Sequence, residues 1–231
     1  MKIRVISGGA TKAAFAVLMP QFEQAGGNAV NVDYSVTSAI DERIAAGEAF
    51  DVMVQPIAVL DRMQKVGVIH GEGRAIFGTV GLSVIVPKGA AKPDISTPDR
   101  FAQILRDARR VVHSTPGVTP SGTHLGKLME TLGIASEMAA KTVYRPALEG
   151  GVETVGRGEA DLGIYPTSEI INVDGIEVAG SVPEPLTLKV TVGAARTARC
   201  AVPEQSAALI EFLASEKSRA GWIAGGFVPA G

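Results

Sequence analysis

The hydrophobic positions of the chain alternate between short β-branched runs and longer segments with helical spacing. Residues 2–6 form a short, mostly apolar run that predicts a strand. The segment that follows places Ala14, Val17, Leu18 and Phe22 on one face of a helix. A strand followed by an amphipathic helix, repeated along a chain, is typical of an α/β protein.

The alternation continues to the end of the chain. Further strands are predicted over residues 29–34, 51–54, 82–86, 110–113, 161–165 and 188–192. Helices are predicted between them. One has Thr37 or Ser38 as its N-cap, a second has Thr97, and a third begins at Gly122 after a loop over residues 114–121. The βα units fall into two groups, near residues 1–80 and 82–190.

Length and hydropathy limit the class of protein. The chain has 231 residues, of which 46% are hydrophobic, enough for one large domain or two small ones. No run reaches the roughly 20 apolar residues that a membrane helix needs. The predicted first strand follows Met1 directly, so we expect no signal peptide and a cytoplasmic protein. The alternative is a periplasmic protein whose signal peptide has been removed.

Composition excludes several kinds of partner. The net charge is −2 and aromatic residues make up 5%, which argues against nucleic-acid binding. Cys200 is the single cysteine, which excludes an intrachain disulfide and a thiolate zinc site. The histidines at 70, 113 and 124 lack metal-ligand spacing. We therefore expect neither a metal ion nor a cofactor.

Several short segments, in order along nearly the whole chain, carry a resemblance to a known family. They are Gly9-Ala10-Thr11, Ser35-Val36-Thr37-Ser38, residues 44–52, residues 84–89, Thr119-Pro120-Ser121-Gly122 and residues 158–165. Together they resemble the molybdate-binding branch of the type II periplasmic-binding-protein superfamily. The resemblance implies an α/β fold with two lobes, each a mixed sheet flanked by helices, and a ligand cleft between them. Lobe 1 would be residues 1–81 with 193–231, and lobe 2 residues 82–192.

The resemblance also implies a binding site. The family's contacts fall on Ala10, Thr37 or Ser38, Ser121, Leu148 and Tyr165 of this sequence. Leu148 would contribute its main-chain N–H and Tyr165 its hydroxyl. The family has a serine where this chain has Ala10, so one hydroxyl donor is missing.

The turns after the predicted strands support anion binding on physical grounds. Residues 8–11, 35–38 and 119–122 are small and rich in hydroxyl groups, and helix N-termini attract anions. Gly9 lets the backbone approach a ligand closely, and Thr11 is a candidate replacement for the missing hydroxyl. The alternative is that Thr37, Ser38 and Ser121 act only as caps and turn formers.

Side chains that a molybdate site would not require point to an organic anion. They are Lys12, Gln55, His113, Arg145 and Glu149. Arg145 is suited to gripping a carboxylate with two hydrogen bonds, although it could equally be a solvated surface arginine. We therefore expect a carboxylate or another organic anion rather than molybdate.

Two functions follow. The first is a monomeric solute-binding protein of the ABC-transporter type, with a membrane transporter as partner if the protein is exported. The second is a cytoplasmic isomerase of a small unsaturated di- or tricarboxylate, similar to trans-aconitate isomerases. In that case His113, Glu149 and Tyr165 are the candidate proton carriers. For His113 the alternative is a hydrogen-bonded residue at a strand end, and for Tyr165 a packing residue.

Overall fold

A computed structural model describes residues 2–26, 28–146 and 150–230. The chain divides into two compact units. The first unit is Met1–Val80 with Val190–Gly231, and the second is Gly81–Lys189. Each contains one sheet with helices packed on it.

The elements follow one another in the alternation that the sequence indicates. The strands are β1 (Lys2–Ser7), β2 (Ala29–Tyr34), β3 (Val52–Pro56), β4 (Ala75–Val80), β5 (Leu82–Pro87), β6 (Val111–Ser114), β7 (Thr142–Arg145), β8 (Leu162–Pro166), β9 (Ile176–Ser181), β10 (Val190–Arg196) and β11 (Val228–Pro229). The helices are α1 (Lys12–Gln24), α2 (Thr37–Ala45), α3 (Ile57–Lys65), α4 (Pro98–Asp107), α5 (Pro120–Thr131), α6 (Ala135–Ala139), α7 (Gly151–Gly156), α8 (Thr167–Ile170), α9 (Pro203–Ala214) and α10 (Arg219–Ala224). Single 3-10 turns lie at Gly9–Thr11 and Glu216–Ser218.

The sheet of the first unit has the strand order β11-β4-β10-β3-β1-β2. Strand β1 is parallel to β2 and β3, whereas β10 is antiparallel to β3 and β4. One core cluster includes Val5, Leu18 and Trp222, and another includes Ile40 and Met53. Since Met53 and Val54 are neighbours on β3 but belong to different clusters, the sheet is buried on both faces.

The sheet of the second unit has the order β7-β6-β8-β5-β9. Strand β6 is parallel to β7 and β8, and β5 is antiparallel to β8 and β9. Phe101 and Leu125 belong to one core cluster, and Val112 and Val155 to another. Two mixed sheets flanked by helices confirm the predicted fold class.

The helix starts are partly as predicted. Thr97 caps α4, since its hydroxyl accepts a hydrogen bond from the Arg100 N–H at 3.3 Å. The N-cap of α2, however, is Val36, so the prediction of Thr37 or Ser38 was wrong. Helix α5 begins at Pro120, not at Gly122, because the fixed φ of proline suits the first helical position.

Strands at or next to the sheet edges were not predicted from the sequence. Strands β4, β7, β9 and β11 were not predicted, and β10 covers Val190–Arg196 instead of residues 188–192. The missed strands are only partly apolar, and pairing with their neighbours establishes them. Val17, predicted to face the core, is 39% exposed because the buried stripe of α1 runs through its neighbours Leu18 and Met19. In the part of the chain described, no helix is both long enough and apolar enough to span a membrane.

Candidate functional site

Both units place their first parallel strand between the other two. The order is β2-β1-β3 in the first unit and β7-β6-β8 in the second. In such sheets the strand order reverses beside the central strand. A crevice opens there, at the carboxyl ends of the strands. Ligands bind at that switch point in open α/β sheets. We call these places the first edge, at the ends of β1 to β3, and the second edge, at the ends of β6 to β8.

Main-chain hydrogen bonds hold the turns of the first edge side by side. The Ser35 N–H donates to the Ser7 carbonyl at 3.1 Å, and the Gly8 N–H donates to the Val54 carbonyl at 3.4 Å. The turn after β1, the turn after β2 and the end of β3 are therefore neighbours. This edge carries the predicted site residues Gly9, Ala10, Thr11, Thr37 and Ser38.

Helix α2 begins without a side-chain cap. Its N-cap, Val36, has no polar side chain and makes no side-chain capping hydrogen bond. The first N–H groups of an α-helix have no partner within the helix, and the helix dipole favours negative charge beside them. Thr37 is half-buried and Ser38 is exposed at this turn. The first edge therefore offers main-chain donors to an anion.

The hydroxyl of Thr11 is occupied by hydrogen bonds inside the turn. Its Oγ1 lies 2.7 Å from Ser7 Oγ and donates to the Gly8 carbonyl at 3.3 Å. Thr11 is buried, whereas Gly9 is exposed and Ala10 is partly exposed. In this arrangement Thr11 does not supply the hydroxyl that Ala10 lacks, so the turn offers main-chain groups.

Gln55 lies at the first edge and has an unusual environment. It is only 1% exposed, yet its Nε2 and Oε1 have no hydrogen-bond partner in the described parts of the chain. A Cβ atom at Gly8 would lie 3.6 Å from Nε2 and 3.9 Å from Oε1. The amide of Gln55 thus lies beside the first residue of the turn after β1.

The second edge brings together three of the predicted residues. Ser114 pairs with Arg145, and His113 pairs with Ile164, which directly precedes Tyr165. The Thr115 N–H donates to the Arg145 carbonyl at 2.7 Å. His113, Arg145 and Tyr165 are therefore at the ends of adjacent strands.

His113 is a buried, neutral imidazole. Its Nδ1 lies 2.9 Å from the Ser114 carbonyl oxygen. A carbonyl only accepts, so Nδ1 carries the proton and Nε2 keeps its lone pair. Burial lowers the pKa of His113, although the bond to Ser114 opposes that shift. The ring also packs edge-on against Tyr144, with centroids 5.2 Å apart.

Tyr165 is fully buried, and its hydroxyl has no partner in the described ranges of the chain. Burial raises its pKa above the usual range, and the positive charge of Arg145 opposes that rise. A Cβ atom at Gly151, the first residue of α7, would lie only 1.9 Å from the Tyr165 hydroxyl oxygen. The hydroxyl therefore occupies the space that the missing side chain of Gly151 leaves.

Two further residues of this edge, Ser168 and Glu169, were not predicted from the sequence. Ser168 is buried in α8, and its hydroxyl has no partner among the residues described. Its neighbour Glu169 is partly buried, and burial raises the pKa of its carboxyl group to about 7. The negative charge of Glu169 in turn raises the pKa of Tyr165. No sequence pattern signals this, because a glutamate in a helix is usually solvated.

Ser121 and Arg145 differ in their hydrogen-bond partners. Ser121 is buried, with Oγ 3.1 Å from the Thr119 hydroxyl, and Thr119 caps α5 by accepting from the Gly122 N–H at 3.0 Å. The Arg145 guanidinium donates to the Tyr144 carbonyl at 3.3 Å, and within residues 2–26, 28–146 and 150–230 no carboxylate pairs with it. Leu148 and Glu149 lie outside the described residues.

A metal centre finds no support in the described residues. Those ranges contain no group of three or more histidine, cysteine, aspartate or glutamate side chains placed to hold a metal ion. The first edge instead contains the buried amide of Gln55, and the second edge contains buried polar side chains and the guanidinium of Arg145.

Comparison with known proteins gives relatives of this chain. It is 29% identical over 220 residues to an aconitate isomerase of a Pseudomonas species, covering 93% of this chain and 82% of that protein. It is 24% identical over 187 residues to the molybdate-binding protein ModA of Escherichia coli K12, covering 79% and 72% of the two chains. The structure superimposes on the periplasmic molybdate-binding protein of Azotobacter vinelandii with a TM-score of 0.76 at 18% identity, over 99% and 100% of the chains.

A family model covers almost the whole chain. It describes a bacterial extracellular solute-binding protein and matches residues 3–228. The similarity to molybdate-binding proteins confirms the resemblance seen in the sequence. The chain therefore belongs to the family of bacterial extracellular solute-binding proteins.

Proposed function

We propose that this chain binds a small anionic solute, and that the solute is a carboxylate or another organic anion rather than molybdate. The start of α2 carries the proposal, because its N-cap Val36 provides no side-chain cap and the first N–H groups of a helix, which have no partner within it, lie at the positive end of the helix dipole. The names of its relatives agree, since molybdate and aconitate are both anions.

Two features of this chain favour an organic anion. Ala10 lacks the hydroxyl of the family's serine, which removes one donor to a tetrahedral oxyanion. Arg145 has a guanidinium suited to a planar carboxylate and no carboxylate partner among the residues described. The proposed partner of the binding function is a membrane transporter, and the proposed state of the chain is a monomer.

A thermal-shift screen tests the proposal. The probes are molybdate, tungstate, sulfate, succinate, malate, tricarballylate, citrate and the two aconitates, at equal ionic strength. A probe at about 100 times its Kd adds about 2.7 kcal/mol to the free energy of unfolding, roughly 5–10 °C for a chain of this size. A shift with molybdate or tungstate alone would overturn the carboxylate assignment. No shift with any probe would overturn the binding function.

Double-bond isomerisation of an unsaturated polycarboxylate is a second candidate, favoured by the proton-carrying groups of the second edge. A base removes a proton from the carbon beside the double bond, and an acid returns a proton at the far end of the allyl system. Neutral His113 can accept a proton, and Glu169 can exchange one near pH 7. Proton NMR of trans-aconitate with the protein tests this. Product that disappears in Glu169→Gln or His113→Ala supports catalysis, and unchanged trans-aconitate supports a carrier.

A further inference from the structure

Gln55 is at the switch point of the first unit. It is the next-to-last residue of β3, and Gly8 follows β1 directly beside it. The register pairs Ser7 with Val54, so Gly8 and Gln55 are the next pair along the two strands. The reversal of strand order between β1 and β3 marks this pair as the place where a ligand would bind in such a sheet.

The amide group of Gln55 lacks the hydrogen bonds that a buried amide normally makes. Both polar atoms of its amide are buried and unpartnered in the described parts of the chain. Buried polar groups in folded proteins are almost always hydrogen-bonded, because desolvating an unpaired amide is unfavourable. A bound molecule at the Gly8 turn would supply the missing partners.

The chemistry of an amide limits what that molecule is. Nε2 donates, whereas Oε1 only accepts, so the pair needs one acceptor and one donor. Molybdate and sulfate present only acceptors at neutral pH and would leave Oε1 unsatisfied. A hydroxyl group accepts from Nε2 and donates to Oε1. Gly9 and Ala10 follow Gly8 in the same turn, and neither residue is buried.

We propose that Gln55 is a specificity-determining residue that selects a hydroxycarboxylate, with the hydroxyl of the ligand on the Gln55 amide. This inference rests on the proposed function and specifies the class of solute. It also predicts discrimination between ligands that differ by a single hydroxyl group.

Isothermal titration calorimetry with two matched pairs tests the inference. The pairs are malate with succinate and citrate with tricarballylate, because the members of each pair differ by one hydroxyl. The wild-type protein is expected to bind the hydroxylated member at least about tenfold more tightly. In Gln55→Met the hydroxylated member should fall to the affinity of its partner, while succinate and tricarballylate bind as before. Gln24→Met, an exposed glutamine at the end of α1, is the matched control and should keep the discrimination.

The outcomes separate this inference from the proposed function. If no carboxylate or oxyanion binds the wild-type protein, the proposed function fails and the inference with it. If both members of a pair bind equally, or if Gln55→Met still discriminates, the inference fails and the binding function stands. Thermal unfolding provides a second readout, since an apolar residue in place of an unpaired amide should keep or raise the melting temperature of the free protein. A large fall would show that Gln55 has a structural partner.

Discussion

The two units build the same switch point from different chemistry. At the end of its third parallel strand, each buries one polar side chain without a partner among the residues described, Gln55 in the first unit and Tyr165 in the second. Gln55 lies beside Gly8, and α2 starts at the same edge on Val36, which provides no side-chain cap. The charges that act on Tyr165 are those of Arg145, Glu153 and Glu169.

This difference assigns different tasks to the two edges. The Gln55 amide and main-chain N–H groups do not titrate at physiological pH, so these groups can hold a ligand but cannot move a proton. The second edge contains a neutral imidazole and a carboxyl group with a pKa of about 7, so its charge depends on pH. Binding to the first edge should therefore be insensitive to pH, and any proton transfer belongs to the second.

The largest effect is expected at Gly151, where a side chain would collide with Tyr165. A Cβ atom would lie 1.9 Å from the hydroxyl oxygen, 3.0 Å from Cζ and 3.2 Å from Val112 Cγ1. Gly151→Ala should therefore lower the free energy of unfolding by about 3 kcal/mol, measured by urea denaturation. If the two edges are built alike around a buried polar group, this variant should also weaken carboxylate binding.

The double variant, which carries both Gly151→Ala and Tyr165→Phe, serves as the control for Gly151→Ala. Removing the hydroxyl takes away the shortest of the three contacts, so the double variant should recover part of the lost stability. Equal stability of Gly151→Ala and the double variant would contradict the assignment of the clash to the hydroxyl.

Glu169 should make stability depend on pH. Its pKa of about 7 in the folded protein exceeds the unfolded value of about 4.3, so the folded state holds the proton more tightly. Its contribution is fully present below about pH 4.3 and is lost as pH rises through 7. Because the group is partly exposed, we expect a loss of about 2 kcal/mol.

Urea denaturation at pH 5 and pH 8 measures the effect. Glu169→Gln, which stays neutral, should reduce the difference in unfolding free energy between the two pH values by most of that amount, since part of the contribution is already lost at pH 5. Glu153→Gln, a substitution of an exposed glutamate on α7, should leave the difference unchanged. If both variants behave alike, Glu169 is solvated, and the contrast between the two edges loses its main support.

The sequence predicted the fold better than the site, for physical reasons. The spacing of apolar residues that predicts a helix or strand can be read from a short stretch of sequence. For this reason α4, with its Thr97 cap, and the central strands were predicted. Strand β7 is short and partly polar, and only its pairing with β6 defines it. The states of Gln55 and Glu169 depend on burial, and that of Thr11 depends on the turn geometry that brings its hydroxyl to Ser7 and Gly8, so residue type did not reveal them. The resemblance predicted which residues lie at the two edges, but it did not predict their hydrogen bonds.

A proline at the first position of α2 tests whether main-chain groups hold the ligand at the first edge. Val36 has φ −70° and ψ 153°, which suits a residue before proline, and the first helical N–H has no partner in the helix. Thr37→Pro should therefore fold normally but lose one donor. Affinity for the best carboxylate of the screen, measured by calorimetry, should fall about tenfold or more. Thr37→Ala keeps the N–H and should cost less; an equal loss in both variants would assign the contact to the hydroxyl.

The smallest effect on stability is expected for Tyr165→Phe, and it is informative because it is small. The hydroxyl is buried and has no partner in the described ranges, so removing it should leave the free energy of unfolding within about 0.5 kcal/mol of wild type or raise it slightly. Carboxylate affinity should nevertheless fall if the hydroxyl binds the ligand, as the amide of Gln55 is proposed to do. A loss of stability above about 1 kcal/mol would mean that the hydroxyl is hydrogen-bonded in the free protein. The two switch points would then not be alike, because the third parallel strand would end on an unpartnered side chain at Gln55 but not at Tyr165.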